Sequence, residues 1–227
     1  MKLVYPDFEQ QILLEENMVN VLHIENPEYY VQIIQELNNQ INGEEGKFVL
    51  SENEKIYPIK KNVDIIINPF NLDFGNKKFI NAIYTELQEI AQNETNYKST
   101  SETISILMNY IVELVDKVDY PLSINDNIDI VELFKCVNLK LNCNEGGLIE
   151  QLVSYIELLN GILRIKLVVL VDIKRFMAEK TYLLFIETLL AKKINILLLE
   201  NGNNYFAKEY ERVIIIDKDL CELGQNS

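Results

Sequence analysis

The 227-residue sequence has no tryptophan, one histidine, three cysteines, eight glycines and five prolines. So little glycine and proline argues against an all-β chain of tight turns and against a long flexible linker. The histidine, His23, lies inside an apolar run with no cysteine near it. A nucleophilic triad or a histidine-based metal centre would rest on that one side chain, which reads as a structural residue of a strand. Cys136, Cys143 and Cys221 are odd in number, widely spaced and match neither a disulfide framework nor a zinc pattern. They predict reduced thiols in a cytoplasmic protein. No G-x-S-x-G, H-E-x-x-H, C-x-x-C or dinucleotide glycine loop occurs. The first twenty residues contain acids and alternate apolar with polar, so no secretory signal is expected there, and the longest apolar runs are far too short to span a bilayer. A soluble protein with no membrane partner is expected.

What is abundant is negative charge and apolar surface. Asp and Glu number 35 against 21 Lys and Arg, a net charge of −14, and 48% of the residues are hydrophobic. The apolar fraction supports a sizeable core. The acidity gives solubility, and repels nucleic acid from the average surface, so any DNA contact needs the basic residues gathered on one face.

Hydrophobic periodicity predicts α/β texture at both ends of the chain. A strand pair interrupted by Pro6-Asp7 opens it, followed by a strand over 19–24. Asn26 as N-cap and Pro27 as first helical residue begin a helix with Tyr30, Ile33, Ile34, Leu37 and Ile41 on one face, ended by Gly43. A hairpin is expected over 47–59 and buried strands over 63–67, 167–171, 194–199 and 213–216, with a helix over 179–193. Between them the texture is helical: two helices across 76–116 separated by a polar stretch at 93–101, a short helix over 128–136, a possible strand over 137–141, and a long helix over 148–163. Strands alternating with helices imply parallel pairing. The expectation is a discontinuous α/β head of residues 1–71 and 161–227, with a mixed, largely parallel sheet, and an α-helical leg of residues 72–160 inserted in it.

The strand-to-helix unit at 19–41 stands where a phosphate-binding loop would stand. Such a loop needs G-x-x-x-x-G-K-[ST], because glycine lets backbone N–H groups wrap the phosphates while lysine and hydroxyl serve the γ-phosphate and Mg²⁺. Here His23-Ile24-Glu25-Asn26-Pro27-Glu28 offers no glycine, no lysine and two carboxylates. The run Leu167–Asp172 resembles the strand that carries the second nucleotide-site acid, a weak signal alone. Nucleotide hydrolysis is not expected. A metal-dependent nuclease is an alternative, although the acids at the strand ends are single.

Two further groups invite a function. Asp119, Asp126, Asp129 and Glu132 are closely spaced oxygen donors on a turn leading into a helix. They suit a hard cation such as Ca²⁺, or they serve as helix caps, since the helix dipole also favours acids there. The basic pairs include Lys60-Lys61, Lys77-Lys78, Lys135 with Lys140, Arg164 with Lys166, Lys174-Arg175 with Lys180, and Lys192-Lys193. Lys174 and Arg175 directly follow a buried strand, at the end where α/β folds place their ligands. Each pair alone reads as solvated charge, and together they can form a confined positive track.

The order of segments resembles the small accessory family of type II-A CRISPR systems that takes part in spacer acquisition. It is carried by V-L-H-I-E-N-P at 21–27, N-P-F-N-L-D-F at 68–74, D-N-I-D-I-V-E-L-F-K at 126–135, V-N-L-K-L at 137–141 and K-L-V-V-L-V-D at 166–172. The resemblance implies an α/β head related to P-loop ATPases without a working nucleotide site, and a helical leg. It implies a homotetrameric ring that encircles double-stranded DNA and prefers ends, with Ca²⁺ holding head and leg in register. It also implies partners in the CRISPR integrase pair and the RNA-guided effector nuclease. The acids Asp119, Asp126, Asp129 and Glu132 are the implied calcium ligands. Lys174, Arg175 and Lys180 lead the DNA-binding candidates, followed by Lys135 and Lys140. With few arginines, backbone contact rather than base reading is expected. A protein-only scaffold is the remaining alternative.

Overall fold

Every residue of the strand β3 (Val19–Ile24) is buried, and the large sheet is built outward from it. The structure, a computed structural model, describes residues 1–125, 127–141, 146–202, 207–208 and 210–225. The chain divides into two compact units, Met1–Leu72 with Asn144–Ser227, and Asp73–Cys143.

In the first unit, β3 lies between β8 (Ile196–Asn201) and β9 (Glu211–Ile216), parallel to both. Next to β8 come β7 (Leu167–Val171) and then β6 (Val63–Ile66), also parallel, while β10 (Glu222–Gln225) runs antiparallel to β9 on the other edge. The order is β10-β9-β3-β8-β7-β6, a mixed and largely parallel sheet. β7 is buried at all five positions, as a parallel strand covered on both faces should be. Burying such Val, Ile and Leu side chains stabilises the unit by roughly 1.5–3 kcal/mol each before the entropy cost.

A second, antiparallel sheet has the order β2-β1-β4-β5, from β1 (Lys2–Val4), β2 (Ile12–Leu13), β4 (Val49–Glu52) and β5 (Lys55–Tyr57). Asn53 and Glu54 both have positive φ (44° and 66°), as a two-residue hairpin turn of type I′ requires. Tyr5 packs against Phe48 with centroids 4.5 Å apart, and its hydroxyl donates to Glu36 Oε2 at 2.7 Å.

Glu36 belongs to α1 (Pro27–Asn42), whose buried face is Tyr30, Ile33, Leu37 and Ile41. Gly43 ends α1 at φ 103°, and a Cβ there would stand 2.6 Å from Lys60 Nζ. The short α2 (Ile59–Asn62) leads into β6. Between β7 and α7 (Glu179–Ala191) runs a 3₁₀ turn over Ile173–Phe176.

The second unit holds α3 (Lys77–Gln92), α4 (Tyr97–Val115) and α5 (Ile130–Cys136). Tyr84 of α3 stacks on Phe134 of α5, and Thr100 of α4 donates its hydroxyl to Ala91 O at 2.9 Å. No residue of α4 is buried. Among the described residues no helix is long and apolar enough to cross a membrane.

Three expectations differ from the structure. α6 (Leu148–Gly161), expected in a leg of residues 72–160, falls in the α/β unit. Leu152, Ile156 and Leu159 are buried along it, and Glu157 pairs with Lys192 at 2.8 Å, just past α7. The possible strand over 137–141 is absent: Asn138 has φ 52° and donates its N–H to Lys135 O at 3.0 Å, so α5 ends in a turn. The gap between the two long helices is 93–96 rather than 93–101, because Asn93 Oδ1 and O accept the N–H groups of Asn96 and Tyr97 and start α4 early.

Candidate functional site

The candidate site of the α/β unit is the carboxyl edge of β3, β7 and β8, where open α/β sheets receive ligands. At the end of β3 the chain turns directly into α1. The N–H groups of Glu28 and Tyr29, which a bound phosphate would need, both donate to Asn26 Oδ1 at 3.1 Å. Asn26 Nδ2 in turn donates to Lys218 O at 3.2 Å. One capping side chain thus takes the donors that a glycine loop would turn toward a nucleotide. The neighbouring carboxylates of Glu25 and Glu28 repel an anion as well.

His23 is buried, and its Nε2 donates to Gly202 O at 2.9 Å. Burial lowers its pKa, partly offset by Gly202 and Glu25. It is a neutral side chain that fastens β3 to the end of β8. Asn201 adds a second tie, its Nδ2 donating to Ile24 O at 2.6 Å.

Asp172 follows β7 at φ 49°, accepts the Asn201 N–H at 3.3 Å, and lies 3.6 Å from the Arg175 guanidinium. Tyr30 from α1 donates its hydroxyl to Leu199 O at 3.1 Å. Burial, and then the charge of Asp172, pushes that phenol's pKa up.

Among the described residues the most enclosed charge is Glu211 at the start of β9. Its carboxylate accepts from the Tyr182 hydroxyl at 2.5 Å and from the Lys208 N–H at 3.0 Å, and pairs with Lys174 Nζ at 2.5 Å. The Lys174 ammonium also stands 4.9 Å over the Tyr182 ring. Burial lowers its pKa against the pull of Glu211. Glu200, buried at the end of β8, accepts the Lys174 N–H at 3.4 Å, and burial pushes its pKa up to about 7.

Sequence reasoning singled out Lys174 and missed Glu200, Glu211 and Tyr182. The signal was present: Glu200 closes the apolar run Ile196–Leu199, and Glu211 stands two residues ahead of the run Val213–Ile216. A charge at the end of a buried strand demands a partner. Lys174 is that partner, with its side chain 21% exposed. Its ammonium is directed into the protein rather than toward a passage. Arg175 is 62% exposed, and Lys180 is exposed at the start of α7.

In the helical unit Lys135 is exposed and pairs with Glu132 at 2.6 Å, which raises the pKa of the lysine. Lys140 is exposed. Asp129 caps α5, its Oδ1 accepting the Val131 N–H at 2.9 Å. It also lines a groove of about 590 Å³ with Ile104, Met108 and Val112 of α4. Asp119 lies exposed beyond α4, and Asp126 lies outside the described residues. Of the two roles left open for this stretch, capping is realised at Asp129. Among the described residues no three His, Cys, Asp or Glu side chains converge.

Residues 40–220, well over half of the chain, match the family described as CRISPR-associated protein (Cas_Csn2). No curated protein matches. Among solved structures, the dimeric post-hydrolysis state of the ATP-binding cassette MJ0796 bound to ADP and Pi is 11% identical, with a TM-score of 0.43 over 100% of this chain and 99% of that one. On the family match, this chain belongs to the Cas_Csn2 family of CRISPR-associated proteins and is an accessory protein of type II-A spacer acquisition.

Proposed function

We propose that this protein is a noncatalytic, sequence-nonspecific double-stranded DNA-binding protein that prefers ends. It assembles as a homotetrameric ring and acts beside the CRISPR integrase proteins and the RNA-guided effector nuclease. The observation that carries the noncatalytic part is Asn26. Its side chain occupies the first N–H groups of α1, at the edge where a phosphate would be bound.

Arg175 and Lys180 are the leading DNA contacts in the α/β unit, and Lys135 and Lys140 in the helical unit. Lys174 supports its neighbours from within, through Glu211. A chain of net charge −14 approaches a duplex only if such cations from several subunits converge on one passage.

Ca²⁺ remains a proposal for the stretch of Asp119, Asp126, Asp129 and Glu132. The support is its density of carboxylates, and no step of the DNA reading runs through the ion. Gel shifts of one linear duplex and its closed circular form, paired with native mass measurement, test the reading. A tetramer retained on linear DNA alone is expected, and equal binding to both forms overturns threading.

One observation favours a second reading. Asp172, Glu200 and Lys174 meet at one sheet edge, which suits a metal-dependent nuclease. That reading requires Mg²⁺- or Mn²⁺-dependent cutting that Asp172→Ala abolishes.

A further inference from the structure

The rings of Phe70 and Phe176 meet edge to face on the α/β unit, with centroids 5.1 Å apart and planes at 88°. Phe70 is 66% exposed and Phe176 39% exposed. Aromatic side chains gain by leaving water, so a pair kept at the surface asks for a ligand.

Both rings stand on fixed turns. Asn68 Oδ1 accepts the Phe70 N–H at 3.0 Å, Asn68 O accepts the Asn71 N–H at 3.2 Å, and Pro69 presets the bend between them. Phe176 closes the 3₁₀ turn that is rooted by buried Ile173 and by the Lys174–Glu211 pair. The two turns follow β6 and β7, which are neighbours in the sheet, so the rings share its carboxyl edge.

The chemistry beside the rings is cationic. Arg175 directly precedes Phe176, and Lys180 starts the next helix. Asp172 lies 3.6 Å from Arg175 and tempers its charge, while Glu179 is engaged by Lys208. Aromatic faces beside basic side chains are how proteins hold single-stranded nucleic acid without reading sequence, since every base presents a π-face. An apolar protein partner would gain nothing from the cations.

We propose that Phe70 and Phe176 form a stacking platform for an unpaired nucleobase at a DNA end, with Arg175 and Lys180 taking the adjoining phosphates. This rests on the DNA-end reading above. Because both turns are pinned before the base arrives, little ordering opposes binding.

The test compares a blunt duplex with the same duplex carrying a short single-stranded overhang, with 2-aminopurine at the unpaired position, on the full-length protein. Tighter binding of the overhang by roughly tenfold is expected, with quenched fluorescence on stacking. Phe70→Ala and Phe176→Ala abolish the preference, Phe70→Tyr keeps it, and blunt-duplex affinity and native mass stay unchanged. Wild-type binding to both duplexes with equal affinity overturns the platform and leaves the DNA reading standing. So does an overhang preference that survives both alanines. A change in native mass on substitution marks the patch as a contact between proteins and overturns the platform too. Failure to bind either duplex overturns both readings.

Discussion

Lys174 Nζ and Glu211 Oε1 lie 2.5 Å apart, with the glutamate side chain 1% exposed and the lysine 21%. A buried pair of this kind is costly to break from one side, because the remaining charge keeps its desolvation penalty. Lys174→Ala is expected to lower stability by about 3 kcal/mol. Chemical denaturation reads it directly. A loss under about 0.5 kcal/mol, the range of an ordinary surface change, would return Lys174 to the exposed cations.

Arg175 and Lys180 should behave in the opposite way. Replacing both by alanine leaves the denaturation midpoint nearly unchanged, since both side chains stand in water. It weakens DNA binding and flattens the plot of log affinity against log salt by about one unit for each phosphate no longer engaged. Titrations at several salt concentrations decide it, and an unaltered slope removes these two residues from the DNA-binding surface.

Glu200 makes stability depend on pH. Its folded pKa of about 7 lies above the ordinary 4.5, so between those values the folded state holds the proton more tightly. The stabilisation is complete below about pH 4.5 and is lost as the pH rises through 7. Glu200→Gln, which keeps the shape without the charge, should flatten the stability profile across that window and raise stability at pH 8 by up to about 3 kcal/mol. Parallel profiles for the two proteins would show that Glu200 stays charged throughout.

The Asn26 cap predicts two outcomes. Asn26→Ala should cost about 1 kcal/mol, as the loss of an N-cap does. Wild-type protein should show no rise in melting temperature with Mg²⁺ and ATP, because the phosphate donors are already in use. A saturable rise with ATP would contradict the closed edge.

Asp129→Asn separates capping from cation binding. Asparagine caps as well as aspartate does but is a poorer ligand for a hard ion. Without added metal the variant should melt with the wild type. If Ca²⁺ raises the wild-type melting temperature, the variant should lose much of that rise. An EDTA-insensitive wild type removes the calcium proposal.

Much of the α/β unit was legible in the sequence because its signals are local. Asn26, Pro27 and Gly43 punctuate α1, and the runs at 167–171 and 213–216 are too short and too β-branched to be helices. The edge strand β10 was not legible. Its residues Glu222–Gln225 carry no strand pattern, and only pairing with Val213–Ile216 makes them one. The same holds at the candidate site. Lys174 looks like any lysine after a strand until Glu211, 37 residues on, closes over it, and long-range pairing has no sequence period. The boundary near α6 was missed because its amphipathic spacing says that one face is buried, not which unit buries it.

The way α1 begins has a bearing on descent. If this edge ever held a nucleotide, no single substitution restores it. Glycines and a lysine would have to replace a fixed turn, and the two acids Glu25 and Glu28 would have to go. A chain that had lost only the Asn26 cap would be less stable and would still lack the lysine that a phosphate needs.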